Sequence, residues 1–154
     1  MAAGAITVSH QFKVDLGNKI HDMDGDTFKL ALITSTVTPA ASDAAPHFGG
    51  TGTTNYATNE VTPGGNYAAG GLTLANVTYS NAGGTVSWKA DKASIAYNSS
   101  NPTNARWGII YNSTDANKRV VAILDLGEVL DLSKGPFEWR FNSVDGSGTI
   151  ATLA

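Results

Sequence analysis

Apolar and polar positions alternate most regularly in two neighbouring stretches of the chain, Ala105–Asn112 and residues 120–127. Ala105, Trp107, Ile109 and Tyr111 recur at period two, as do Val120, Ala122, Leu124 and Leu126, which places each set on one face of a strand. The alternate positions are partly apolar as well: Ile110 in the first stretch, Val121 and Ile123 in the second. A strand that is apolar on both faces belongs in the middle of a sheet. The polar connector 112–119 then reads as the tip of a long β-hairpin, facing water and carrying Asp115, Lys118 and Arg119. Residues 28–34 give a further strand with Phe28, Leu30 and Leu32 on one face. Phe137, Trp139 and Phe141 alternate with Glu138 and Arg140. Residues 72–79 read as a strand with a slip at Asn76, and 86–88, 94–97 and 149–153 as shorter ones. Turn signals fall at 81–84 and at 145–148.

One segment has the helical period. Phe12, Leu16 and Ile20 recur at i, i+4, i+8 over residues 9–21, with Ser9 at the N-cap position. Residues 1–8 are small and apolar and form an arm or a first strand. Residues 35–70 have no period at all and are rich in Thr, Ala, Gly, Asn and Pro. With few large apolar side chains this stretch is expected to be a long loop, mobile in the isolated chain and ordered by assembly. Phe48 and Tyr56 within it are spaced like anchors for something outside. The pattern as a whole predicts an all-β fold: a two-sheet β-sandwich or jelly-roll of about eight strands, one short N-terminal helix and one long loop, in a single domain over 1–154.

Composition narrows the chemistry. Without cysteine there is no disulfide, thiol nucleophile or Cys-based zinc site. A formal net charge of −3 with no Lys/Arg cluster argues against nucleic acid as a partner. No apolar run is long enough to cross a membrane, and residues 1–9 lack the pattern of a secretory signal, so synthesis in the cytoplasm is expected. Charged residues make up only 15% of the chain, against about 25% in ordinary soluble proteins. A surface poor in long charged side chains loses less side-chain entropy on docking, which suits a protein packed among others.

The candidate motifs fail their context tests. Asp22-Met-Asp-Gly-Asp-Thr27 has the look of the Asp-x-Asp-Gly-Thr nucleophile motif of haloacid-dehalogenase-like phosphatases, but no buried strand leads into it and no βαβ alternation follows. As a calcium loop it has its glycine one place early and Ile33 where a bidentate Glu is required. It reads as a charged turn. The glycine-rich runs at 49–54, 64–65 and 70–71 lack the following Lys-Ser/Thr and helix of a phosphate loop. His10, His21 and His47 have no metal-ligand spacing, and no nucleophile–base pattern stands out. Trp88, Trp107 and Trp139 are core residues or, in the sharper reading, a sugar-binding platform. No catalytic, cofactor or metal residues are assigned, and no cofactor is expected.

Several segments, in order along the chain, resemble a family of small virion structural proteins of tailed bacteriophages. They are Asp24-Gly-Asp-Thr-Phe-Lys-Leu-Ala-Leu32; Asn59-Glu-Val and Tyr67-Ala-Ala-Gly-Gly-Leu-Thr-Leu74; Ala105-Arg-Trp-Gly-Ile-Ile-Tyr-Asn112; and Asn117-Lys followed by Val121-Ala-Ile-Leu-Asp-Leu-Gly127. Gly25 stands where the family has Thr, and Gly-Gly-Asn precedes Tyr67 where Gly-x-Gly is more usual. The resemblance implies a non-enzymatic virion component. The expected role is a capsid decoration (cement) protein on the outer shell, bound to the major capsid protein of the same phage and to sister copies. Its expected contact residues are Phe48, Tyr56, Asp115, Lys118 and Arg119. The other readings are a tail or head–tail connector component and a carbohydrate-binding module of a receptor-binding protein.

Overall fold

The structure, a computed structural model, describes residues 4–142 and 148–153. It is an all-β fold with one short helix. Its centre is a five-stranded antiparallel sheet in the order β1 (Ile6–Val8), β10 (Val120–Leu130), β9 (Ala105–Asn112), β2 (Phe28–Ile33), β5 (Leu72–Thr73). The β9–β10 hairpin supplies the middle strands, and β2 lies against β9 over its whole length, from Phe28 opposite Asn112 to Ile33 opposite Trp107. All of β9 except Arg106 is buried, as a strand apolar on both faces requires.

The two faces are covered differently. Over one lies a three-stranded sheet in the order β12 (Thr149–Leu153), β7 (Thr85–Lys89), β6 (Thr78–Ala82). Its Trp88 and Ile150 meet Phe28, Leu30, Ile110 and Leu124 of the central sheet, with Phe12 and Met23 at the rim. Phe28 meets Trp88 edge-on at 4.9 Å between ring centroids, and the indole N–H of Trp88 donates to the Met23 carbonyl at 3.0 Å. A two-stranded ribbon, β8 (Ala93–Ile95) with β11 (Phe137–Trp139), closes one end. There Ile95 and Phe137 pack on Leu32, Val61 and Tyr67.

Over the other face lies the segment expected to be a mobile loop. It runs across the alternate side chains of the central sheet, Ala31, Ile33, Trp107, Ile109, Tyr111, Val120 and Ile123, and buries Phe48 and Tyr56 among them. Its regular structure is limited to two short parallel strands, β3 (Pro46–His47) and β4 (Thr54–Asn55), and a 3-10 turn, Tyr56–Asn59. The segment is a long loop with little regular structure, and it needs no period of its own to pack there. The sheet supplies the periodic apolar face, and single large side chains dropped onto it cover that face.

Four expectations are corrected. The helix, α1, spans His10–Gly17 and stops before Ile20, where Lys19 takes a left-handed φ of 58°. Ser9 occupies the cap position, but its hydroxyl makes no cap bond. The 72–79 stretch divides at Asn76 (φ 49°) into β5 and β6, which join different sheets. A bulge between Val120 and Ala122 sends Val120 to the loop-covered face and Ala122 and Leu124 to the opposite one. The turn expected over 145–148 lies, except for Gly148, outside the described residues.

Candidate functional site: the hairpin tip and the segments clamped on it

The tip between β9 and β10 was expected to face water. Residues 113–119 are exposed or part-exposed, and the tip is also held from two sides. Asn112, fully buried at the end of β9, organises the first side. Its Oδ1 accepts the backbone N–H groups of Thr114 at 2.9 Å and Asp115 at 3.1 Å, which turns the chain into the tip. Its Nδ2 donates to Asp26 Oδ2 at 2.6 Å and to His21 Nδ1 at 3.0 Å. A buried amide with all these bonds made stabilises the arrangement; stripped of one partner it would be costly.

The Asp22–Thr27 turn is thereby tied to the tip through Asp26, while Asp22, Asp24, Gly25 and Thr27 stay exposed. Asp22 accepts from the Gly25 N–H at 3.1 Å, and Asp26 accepts from the Asp22 N–H at 3.0 Å. The Asp22 and Asp26 carboxylates are occupied by neighbouring N–H groups, and Asp24 points to solvent. Among the described residues no group of three or more His, Asp or Glu is placed to hold a metal ion.

Asp15, on α1, is also buried, and accepts from Gln11 Nε2 at 3.0 Å. Its Oδ2 stands 3.8 Å from His21 Nε2 and 3.8 Å from Arg119 Nε. Arg119 in turn lies 3.6 Å from Asp115. Burial lowers the pKa of His21, and Arg119 acts in the same direction, against the opposing pull of Asp15, Asp115 and Asp26.

The second side is the long segment. The Phe48 N–H donates to the Lys118 carbonyl at 2.9 Å, and His47 bridges Arg119 through the backbone. Phe48 stacks on Tyr111 with ring centroids 4.7 Å apart. The Tyr111 hydroxyl donates to the Gly70 carbonyl at 2.8 Å, and burial pushes its pKa up to about 12. Tyr56 donates to Asp43, and burial followed by that bond raises its pKa. Tyr67 does the same with Glu60 at 2.9 Å while accepting the Leu32 N–H at 2.9 Å. Glu60 also accepts the Gly70 N–H at 2.7 Å. Neutral tyrosines thus serve as hydrogen-bonding pins for a segment that lacks regular strands.

The expected contact residues are therefore brought together, but not as an open surface. Phe48, Asp115, Lys118 and Arg119 meet at the tip, and Tyr56 lies in the same apolar cluster. Phe48 is 4% exposed and Tyr56 0%, so neither ring projects toward a partner; the picture of two outward anchors is corrected. Asp115, Lys118 and Arg119 are part-exposed. Trp88 and Trp107 are buried and offer no sugar platform, and Arg106 covers the Trp107 ring at 3.9 Å. Sequence reasoning missed Asp15 and His21, which are far from the tip in the chain. Asn112 lay within a quoted motif, and a polar residue ending a strand apolar on both faces was the one signal that pointed to a buried node.

Comparison with protein-family models, with curated proteins and with solved structures finds no match to this chain.

Proposed function

We propose that the protein is a structural component of a tailed-bacteriophage virion, and that its role is to decorate and stabilise the outer shell. What supports the reading is how the segments resembling that family meet in space. Asp26 of the first bonds Asn112 of the third at 2.6 Å. Leu32, Glu60, Tyr67 and Gly70 share one hydrogen-bond network, and Tyr111 bonds Gly70 at 2.8 Å. A Cβ on Gly71 would lie 2.1 Å from the Leu30 carbonyl oxygen, so those two segments touch backbone to backbone. Residues scattered over about ninety positions converge on the nodes that hold the layers together, as motifs of a scaffold do. Among the described residues no constellation of nucleophile, base and oxyanion donors accompanies them.

The test is the number and place of copies in a purified virion. Quantitative mass spectrometry should give on the order of hundreds of copies per particle for a shell protein, against about six or twelve for a ring at the connector or tail. Cryo-EM density should place the β-sandwich on the outside of the head. A low copy number with density at the neck would replace the shell role by the connector role. Absence from particles would end the virion reading.

A further inference from the structure

His21 sits between the rings of Phe12, at 5.3 Å, and Phe28, at 6.5 Å, with its side chain fully buried. The charged groups around it come from three elements: Asp15 from α1, Asp26 from the following turn, and Asp115 and Arg119 from the hairpin tip. Its hydrogen-bond partner decides its protonation state. Asn112 Oδ1 accepts two backbone N–H groups of the tip, so the amide nitrogen is the atom facing His21 and Asp26. An amide N–H that meets an imidazole nitrogen at 3.0 Å requires an acceptor there. Nδ1 of His21 is therefore unprotonated, and the neutral ring carries its proton on Nε2, toward Asp15.

Protonation would place an N–H on Nδ1, donor against donor. Asn112 has no ready answer. Turning its amide over would forfeit both bonds to the tip and set its oxygen against the Asp26 carboxylate. At the other nitrogen, Nε2 and Asp15 Oδ2 are both buried without a hydrogen-bond partner, and at 3.8 Å they are too far apart to compensate.

We propose that His21 is an acid-released latch: neutral, it ties α1 and the Asp22–Thr27 turn to the hairpin tip, and once protonated it lets that segment open while the central sheet stays closed. The lowered pKa of His21, with burial as the leading cause, agrees in direction. The open segment binds the proton more readily than the closed one. Closure is then fully stable above the free imidazole value of about 6.5 and weakens as pH falls below it, by at most about tenfold per pH unit for one proton.

The test is amide hydrogen exchange, corrected for intrinsic rates, at Asn18, Ile20 and Asp26. Their N–H groups bond Val14, Asp15 and Asp22 carbonyls within the latched segment. Between pH 7 and pH 5 their protection should fall severalfold, with a ceiling of about twenty-five-fold for one proton, and β2 and β9 amides should hold theirs. In His21→Gln the side-chain carbonyl still accepts from Asn112 but does not titrate, so this pH dependence should vanish. Protection that is flat or rises on acidification, or an unchanged dependence in H21Q, overturns the proposal. Should H21Q not fold, the imidazole 15N shifts of the unaltered protein decide. They must show the Nε2–H tautomer at neutral pH and a midpoint below about 6.5; the Nδ1–H tautomer or a higher midpoint overturns it.

Discussion

The two faces of the central sheet bury similar side chains by different means. One is covered by β12, β7 and β6, whose own alternation supplies Trp88 and Ile150. The other is covered by a segment with two strands of two residues each, which contributes Phe48 and Tyr56 singly. Full burial of a large apolar side chain is worth about 1.5–3 kcal/mol however it is delivered. What differs is how the backbone polar groups are satisfied. Strands pair them in ladders. The long segment pins them with tyrosine hydroxyls, Asn55, Glu60 and the hairpin tip. A periodic cover is tied along its length, and an aperiodic one at points.

The largest way to break this comparison is to remove the aperiodic cover. Deleting residues 38–59 strips Phe48 and Tyr56 from Ile33, Trp107, Ile109 and Tyr111 and leaves that face open to water. The expected product has no cooperative thermal transition by near-UV circular dichroism, and it aggregates. A deletion variant with a sharp transition near that of the parent would mean that the segment is an accessory laid on a complete fold.

Single truncations come next. Trp88→Ala removes the largest fully buried side chain under the regular cover, and Phe48→Ala removes one from the aperiodic cover. Core aromatics cost about 3–5 kcal/mol when cut to Ala, and both variants should fall in that range by urea denaturation, Trp88→Ala the more severe. If Phe48→Ala costs less than about 1 kcal/mol, the second face is loosely covered and the two are unlike in strength as well as in kind. The ion pair at the sheet's flank follows. Burial alone would raise the pKa of Asp125, but the hydrogen bond from Arg106, at 2.6 Å, and that from the Gly127 N–H hold the carboxylate below its usual value. A carboxylate so depressed adds stability above its free pKa of about 3.9, and that stability is lost as pH falls through the folded value. Arg106→Leu should cost about 3 kcal/mol at neutral pH and flatten the acid limb of the stability profile. An unchanged acid limb would show that Asp125 draws its stabilisation elsewhere.

Period made one half of the fold legible and left the other half hidden. The alternation of Phe28, Leu30 and Leu32, of Trp107, Ile109 and Tyr111, and of Phe137 and Trp139 marked strands that exist, although β11 ends before Phe141, which packs in a different cluster from Phe137. The same alternation held the clue to the second cover. Ala31 and Ile33 lie opposite the face of Phe28 and Leu30, and an apolar set there demands something to bury it. The segment 35–70 was the only long stretch left to do so. Its composition argued for disorder because propensity counts local residues and ignores a waiting surface. The clamping of the tip was hidden for a related reason. Asp115, Lys118 and Arg119 are polar, but backbone bonds to His47 and Phe48 and side-chain contacts to Asp15 come from residues more than sixty positions away. Asp15 and His21 carried no local sign of burial.

The smallest expected effects come from one chemical change made in two places. A Cβ on Gly50 would lie 2.0 Å from the Asn117 carbonyl oxygen and 2.3 Å from its carbon, backbone atoms of the tip that cannot swing aside. Gly50→Ala should force the long segment off the tip and cost about 1–3 kcal/mol, as overpacking does. At this chain length that is a drop of about 2–4 °C in Tm per kcal/mol. Gly17 closes α1 with open space around it and an ordinary φ. Gly17→Ala relieves the helix of glycine's backbone entropy and should gain about 0.5–1 kcal/mol. Opposite signs would show that the clamp on the tip is limited by contact and the helix by propensity. A neutral Gly50→Ala would mean that the segment crosses the tip with room to spare, so that pinning at points leaves slack where pairing in ladders does not.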